Sequence, residues 1–468
     1  MHIEHIIEVL SLTENREIFQ EKRMDIFREL VQSFWNEGIQ NNSDLENLAA
    51  HIQNKYEFKD KDMSLIRNHM RICMGLDPRG DTEFSSELSD IKSKKISPPI
   101  AANVENPHES DKHCNGRCKY EDPIYRRNNE PIIIDNKCLS CGYGVSQWDF
   151  GAIADKIEFI PLIDLLKDKN TPVYAAVAPA IVGQFGDDLS MGQLRTALKL
   201  MGFTDMVEVA LFADILTIKE AFEFNKLVKS KEDFFLTSCC CPVWFNMVKK
   251  SYPDLYKKMS PSVSPMIASG RVLKSLYRNA KVVFISPCIA KKGEVKEPDL
   301  EGAIDFVINF RELKEVFEAL KINLKDLVPD DIDQASLGGR LYARTGGVSF
   351  AVKTAVNRLE PTRVIKLRAK KVDGVKECKN ILEDLRNGKD VDANFIEGMG
   401  CAGGCVGGPR TNIDVDVATK NVNEFGEESY ILTPFDNKNI MKILENFGIS
   451  DLEGIMENEM MVKLLTRE

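Results

Sequence analysis

The sequence predicts an α/β protein with two mostly parallel sheets flanked by helices, preceded by a helical N-terminal domain and a small cysteine-bearing segment. Three observations predict it. Apolar strand-like runs alternate with amphipathic helical ones, as in PVYAAVAPA, GQLRTALKLMGF, DMVEVALF and ILTIKEAFEFNKLVKS. Another strand-like run, AKVVFISPC, ends directly in a cysteine loop, where parallel sheets collect their ligands. A chain of 468 residues is also too long for one ordinary core, so two or three domains are expected.

Residues 1–92 read as a helical domain, on the apolar spacing of IFRELVQSFWNEGI and LENLAAHIQNKY. Asn42-Ser43-Asp44 marks a helix start, with Glu46 as a first-turn acid. Cys73 is the only potential ligand there, which favours a packing or docking module. Residues 93–165 open with a linker, KSKKISPPIAANVENPHES, whose Pro, Ser, Asn and Lys content breaks regular structure. Four cysteines follow in that segment, and residues 166–468 form the α/β domain.

A net charge of −10 and a pI near 5.4 argue against nucleic acid or an anionic membrane as partner, since both are polyanions. The amino terminus carries charges throughout and has no apolar run with a cleavage site. The most apolar stretch, Val173 to Gly183, is too short to span a bilayer and contains Pro179. A cytoplasmic protein is expected. In that compartment thiols stay reduced, so clustered cysteines read as metal ligands or catalysts. Ten of the twelve cysteines cluster, while Cys73 and Cys378 stand alone as ordinary structural residues.

The first cluster is Cys114 with Cys118, then Cys138 with Cys141. Two close pairs on turning loops can converge on an iron–sulfur cube, and the same spacings allow a four-cysteine zinc site. The second is LTSCCCPVW, residues 236–244; neighbouring side chains diverge, so the three cysteines cannot all face one metal. The third is FISPCIAKKGE, where Cys288 follows a strand and Lys291 and Lys292 can stabilise a thiolate. The fourth, FIEGMGCAGGCVGGPR, sets Cys401 and Cys405 among glycines that let backbone approach a bulky inorganic group. No GKS or GKT follows it, which weakens a phosphate-loop reading. A cysteine from each of two strand-end loops and a pair from the Gly-rich loop make four ligands for a cubane.

These last three segments resemble the three signature loops of the [FeFe]-hydrogenase family, in the family's order. VAPAIV, ARTGGVSFAV and FIEGMG match the flanking stretches, and the resemblance covers roughly residues 165–415. DNKCLSCGYGVSQWDFGAI resembles half of a two-cluster ferredoxin, with Gly144 and Trp148 in place of further cysteines, so one accessory [4Fe–4S] on Cys114, Cys118, Cys138 and Cys141 is implied. The family's H-cluster joins a [4Fe–4S] cubane to a diiron unit carrying CO, cyanide and an azadithiolate bridge. By resemblance, Cys241, Cys288, Cys401 and Cys405 hold the cubane and Cys405 bridges to the diiron unit. Aligned on Cys-Pro-x-Trp, Cys240 is the proton-shuttle thiol; aligned on Thr-Ser-Cys, the roles move to Cys240 and Cys239. The first alignment is preferred because a proline after the ligand shapes the loop. Lys291 matches a cyanide-binding lysine with Glu294 as its holder, Ala178 and Pro179 match backbone lining the other cyanide, and Met399 matches an apolar residue over the cluster.

Some positions depart from the family. Ser286 replaces a methionine, Met266 replaces a glutamine near the diiron unit, and CVGGPR replaces C-x-N-G-G-G. Ser260 matches the serine of the family's proton relay, but Ala221 and Phe224 stand where its two glutamates belong, leaving Glu220 or Glu223 as substitutes. The resemblance therefore implies a slow, divergent enzyme that interconverts dihydrogen with protons and electrons, similar to sensory branches of the family. It also implies maturation proteins for the diiron unit and a redox or signalling partner, and a homodimer stays open. A non-catalytic iron–sulfur protein keeping only the cubanes, similar to eukaryotic cluster-assembly factors, is the alternative.

Overall fold

The computed structural model describes residues 22–59, 62–93, 101–103, 124–127, 130–133, 138–139, 141–142, 153–236 and 240–467. The chain divides into two compact units: Met1–Asp168 with Arg311–Asn323, and Lys169–Phe310 with Leu324–Glu468.

The first unit opens with helices over 22–35, Asn42–Lys55, Met63–Cys73 and Glu87–Lys92. The helix start read at Asn42 is capped one residue earlier: Asn41 accepts from the Asp44 N–H, and Asp44 returns the bond to the cap backbone. Leu45, Leu48, Ala49 and Ile52 form the buried stripe of that helix. Arg71 and Glu87 are an entirely buried ion pair at 2.9 Å. Such a pair persists only when every remaining polar atom is bonded. Glu87 also accepts from the Ser85 and Ser86 N–H groups, and Arg71 donates to the Thr82 and Glu83 carbonyls. Two antiparallel pairs follow, Ala101–Asn103 with Ile153–Asp155 and Ile124–Arg127 with Glu130–Ile133. No distinct ferredoxin-like segment is shown among the described residues. Cys114 and Cys118 lie outside them, and Cys138 and Cys141 are half-buried.

Among the described residues the second unit carries two sheets, and each is parallel throughout. Strands β1 (Val173–Val177), β2 (Asp205–Glu208), β4 (Lys281–Ser286) and β5 (Phe306–Asn309) make one, in the order β2-β1-β4-β5. Strands β3 (Phe235–Leu236), β6 (Ala369–Asp373) and β7 (Phe395–Met399) make the other, in the order β6-β7-β3. Helices α1 (Met191–Leu200), α2 (Val209–Leu227), α3 (Pro242–Ser251), α4 (Pro265–Leu276), α5 (Ala290–Glu294), α6 (Gly347–Leu359), α7 (Val375–Arg386) and α8 (Val415–Glu427) are the crossovers and flanks that concern the site.

One run reads differently in three dimensions. DMVEVALF is strand only as far as Glu208; VALF is the first turn of α2. Short apolar runs carry no decisive period, and α2 is buried on every side for most of its length, so no polar stripe announces a helix. Among the described residues no helix is long and apolar enough to cross a membrane.

His69 is fully enclosed in the first unit, and burial, with a smaller push from Arg23, lowers its pKa to about 3. Below pH 6.5 the unfolded chain takes up a proton there that the folded chain refuses. Stability should therefore fall with acidification from pH 6.5 toward 3, by at most about 1.4 kcal/mol per pH unit. Amide exchange in the helix Met63–Cys73, corrected for intrinsic rates, should speed up across that window in the wild type and much less in His69→Gln.

Candidate metal centre

Cys241, Cys288 and the pair Cys401 and Cys405 each come after a parallel strand in the chain, β3, β4 and β7 respectively. Cys241 sits at the start of α3 with extended backbone (φ −108, ψ 109), and Pro242 is the first helical residue. Proline both suits that first turn and keeps the residue before it out of helical conformation, so Cys241 is turned off the helix axis. Cys240, just before it, is half-buried.

Cys288 follows β4 through Pro287, and its N–H donates to the Ser286 hydroxyl at 3.3 Å. Beside it, the Ala178 N–H donates to the Ile285 carbonyl at 2.9 Å, and the chain turns away at Pro179. The Gly-rich loop follows β7. Gly403 and Gly404 hold φ of 80° and 92°, a region that favours glycine. The Gly403 carbonyl accepts from Thr345 at 2.9 Å, and Asp373 Oδ2 accepts from both the Thr345 hydroxyl and the Gly403 N–H, at 2.8 and 3.2 Å. Glu397, wholly buried in β7, accepts from the Gly346 and Ser349 N–H groups at the start of α6. Sequence reading had missed Asp373 and Glu397. A buried acid in an otherwise apolar strand was the one available signal for Glu397.

Contacts tie the loops to one another. The Gly400 N–H donates to the Cys241 sulfur at 3.2 Å, joining the first loop to the third. A Cβ on Gly398 would fall 2.2 Å from the Trp244 ring, and one on Gly400 2.5 Å from Val243. The Arg410 N–H donates to the Pro287 carbonyl at 3.1 Å, joining the third to the second.

The sulfurs feel one another's charge. Burial, then the charge of Cys241, pushes the Cys288 thiol up to about 11 against the pull of Lys291. Burial, then Cys288 and Cys241, pushes Cys405 up to about 12, again against Lys291. Burial disfavours the Lys291 ammonium, yet Glu294 and the sulfurs of Cys288 and Cys405 outweigh it and raise its pKa. Lys291 donates to Glu294 Oε2 at 2.6 Å, both side chains being buried. Thiols so placed make poor thiolates by themselves, and a cationic cluster among them would draw off their protons. The donor set thus fits an iron–sulfur group. Cys401 is half-buried in the same loop as Cys405. Among the described residues no three His, Cys, Asp or Glu side chains stand close enough to share one metal ion. A cubane takes one thiolate on each of four irons, which spaces its ligands by the width of the cluster.

The remaining expected residues occupy buried positions. Met399 ends β7, and its carbonyl receives the Cys378 thiol at 3.3 Å. Met266 lies in the first turn of α4 with its carbonyl bonded to the Ser269 hydroxyl. Ala221 and Phe224 are core residues, Phe224 meeting Phe395 edge-on at 6.1 Å. The Ser260 hydroxyl donates to Glu223 at 2.9 Å and shares a hydrogen bond with the Ser262 hydroxyl at 2.9 Å, while Lys219 pairs with Glu223 and donates to Ser262 at 2.8 Å. The i, i+4 pair Lys219–Glu223 inside an apolar helix was the sequence signal for this row. Cys73 is buried and bonds the Arg23 carbonyl at 3.8 Å.

Residues 171–409 match the family model of the iron only hydrogenase large subunit, C-terminal domain. The chain is 26% identical over 375 residues to the NADP-reducing hydrogenase subunit HndD of Solidesulfovibrio fructosivorans, across 68% of this chain and 64% of that one. It thus spans less than two thirds of that relative's length. It is 20% identical over 317 residues, 56% of this chain and 66% of the other, to a probable cytosolic Fe-S cluster assembly factor of Drosophila mojavensis. An [FeFe]-hydrogenase structure from Chlamydomonas reinhardtii superposes with a TM-score of 0.52 at 22% identity, over 64% of this chain and 94% of that one, a likeness of fold.

The Gly400 contact is testable by crowding. Gly400→Ala should displace the loop from Val243, destabilise the protein by about 1–3 kcal/mol and lower the iron taken up per chain. Adding Val243→Ala should return part of both. Unchanged melting and iron content in the single variant would show that this approach does not shape the site.

Proposed function

Because this chain belongs to the iron-only hydrogenase large-subunit family through its C-terminal domain, we propose that it interconverts dihydrogen with protons and electrons, slowly, and serves as a hydrogen or redox sensor. In this reading Cys241, Cys288, Cys401 and Cys405 would hold a [4Fe–4S] cubane, with Cys405 the ligand on the side of a diiron unit. The observation that carries it is the joining of the three cysteine loops, by the Gly400 N–H on the Cys241 sulfur and the Arg410 N–H on the Pro287 carbonyl, with Lys291 buried in the second of them. When bound, the H-cluster supplies heterolytic cleavage of dihydrogen at its diiron unit.

The protein's own residues have distinct tasks. Cys240 receives and returns the proton. Lys291, held by Glu294, offers an ammonium donor to a cyanide, as preorganised donors do at other charged sites. Ala178, Pro179, Met266, Ser286 and Met399 wall the site and keep bulk water from it. Cys114, Cys118, Cys138 and Cys141 would hold an accessory [4Fe–4S], which would supply electron transfer. A proton leaving through Ser260 meets Glu223, which Lys219 already engages, so each passage requires that bond to loosen. That hindrance supports slow turnover. Maturation proteins would install the diiron unit, and a redox or signalling partner would receive the electrons.

A second reading, a non-catalytic protein keeping only the cubanes, draws on the similarity to the Drosophila assembly factor. By resemblance Cys240 and Lys291 match residues that attend the diiron unit, and their presence weighs against it. Anaerobic reconstitution with iron, sulfide and a synthetic diiron complex separates the two. Infrared bands of bound CO and cyanide are expected; a cubane without them would establish the second reading. Cys240→Ser should keep cubane iron and slow hydrogen turnover by roughly 10²-fold or more. Loss of cubane iron from that variant would make Cys240 a ligand instead.

A further inference from the structure

Behind Lys291 lies a row of charge that the reading above leaves unused. Glu294 gives Oε2 to Lys291, while its Oε1 is buried with no hydrogen-bond partner. Arg467 Nη2 lies 3.8 Å from that oxygen. Arg467 in turn donates to Glu297 at 2.8 Å and to Asp299 at 3.1 Å, and its guanidinium lies 3.8 Å over the Phe245 ring. Phe245 is one turn into α3, the helix that Cys241 begins, and Glu294 ends α5, which follows Cys288.

Arg467 is itself held firmly. Its N–H donates to the Pro261 carbonyl at 2.9 Å, Val263 donates to Leu465 at 2.9 Å, and Ser262 bridges Thr466. Arg271 clamps the same segment by donating to the Thr466 carbonyl at 2.9 Å and to Asp299 at 2.7 Å. Bonding of this density fixes a side chain in one place.

We propose that Arg467 is a positioning residue for the metal centre: it shares the charge of Glu294 through Oε1, leaves Oε2 to Lys291, and so keeps that ammonium beside the cysteine loops. Without Arg467, the Glu294 carboxylate would answer to Lys291 alone and draw it away from the sulfurs. The row would also lose one positive charge. Both effects disfavour added negative charge on a neighbouring cluster. Neutralising Glu297 and Asp299 works the other way, because Arg467 then bears on Glu294 undivided.

The inference rests on the cubane assignment, and the test separates the two. Full-length protein is reconstituted anaerobically with iron and sulfide, and the midpoint potential of the cubane is read by electron paramagnetic resonance. Arg467→Met should shift the midpoint downward, a several-fold rise in the oxidised-to-reduced ratio at fixed potential, at about tenfold per 59 mV. Arg467→Lys should stay near wild type, and Glu297→Gln with Asp299→Asn should shift it upward. Should Arg467→Met fail to fold, the last two proteins decide. Midpoints that do not move in iron-loaded variants overturn the proposal and leave Arg467 a mechanical staple between α3 and α5. A wild-type chain that takes up no iron defeats the cubane reading. The Lys291 ammonium resonance in iron-free, ¹⁵N-lysine-labelled protein then decides this one: moved in Arg467→Met and not in Arg467→Lys, it is upheld; moved in neither, it falls.

Discussion

The candidate centre depends on how closely β7 can lie against the start of α3. At Gly398 and Gly400 the backbone passes where any side chain would strike Trp244 or Val243. That proximity brings the Gly400 N–H onto the Cys241 sulfur and so fixes the first loop relative to the third. The glycines are costly in chain entropy, since each gives up more freedom than any other residue on folding. Their cost is offset by the buried indole of Trp244 and by the strand β7, whose five residues are all buried. Packing comes first here, and the ligand geometry follows from it.

Around that contact the structure gathers charge that a core would ordinarily exclude. Lys291, Glu294, Glu397, Lys219 and Glu223 are all buried in the second unit. Each has bonded partners: Glu397 takes helix N–H groups, Glu294 takes Lys291, and Glu223 takes Ser260 and Lys219. Replacing such pairs by apolar residues is often neutral or stabilising, so stability alone is a poor reason for them. Their placement fits a site that handles charge. Glu397 has a mechanical share too, because its carboxylate binds the start of α6 to the strand that carries the Gly-rich loop.

Much of this could be read from residues in order. The strand ends at Val177 and Ser286 were legible because an apolar run stops at proline or cysteine, and those signals are local. The glycines around Cys401 and Cys405 were equally plain, though only coordinates say what each one avoids. The division between β2 and α2 was hidden, since a helix buried on all faces has no polar stripe to report its period. Asp373 and Arg467 were missed for a different reason. Asp373 binds a loop 30 residues away and Arg467 one 170 residues away, and such pairings leave no trace in spacing.

The departures at the relay positions acquire a physical sense once packing is considered. Phe224 is more than a lost carboxylate: it packs against Phe395 in β7 and lies under the Arg363 guanidinium at 5.1 Å. A glutamate there would have to give up that aromatic contact and bury a charge beside Arg363, whose guanidinium Asn225, Glu360 and the Val228 carbonyl already engage. A carboxylate stands one residue earlier along α2, at Glu223, which faces Ser260 with Lys219 a turn behind it. A helix turns about 100° per residue, so this shift alone carries the carboxylate from the aromatic core to the polar row. Aromatic packing against β7 and a buried carboxylate set in an ion pair are therefore two outcomes of the order of these neighbours along α2.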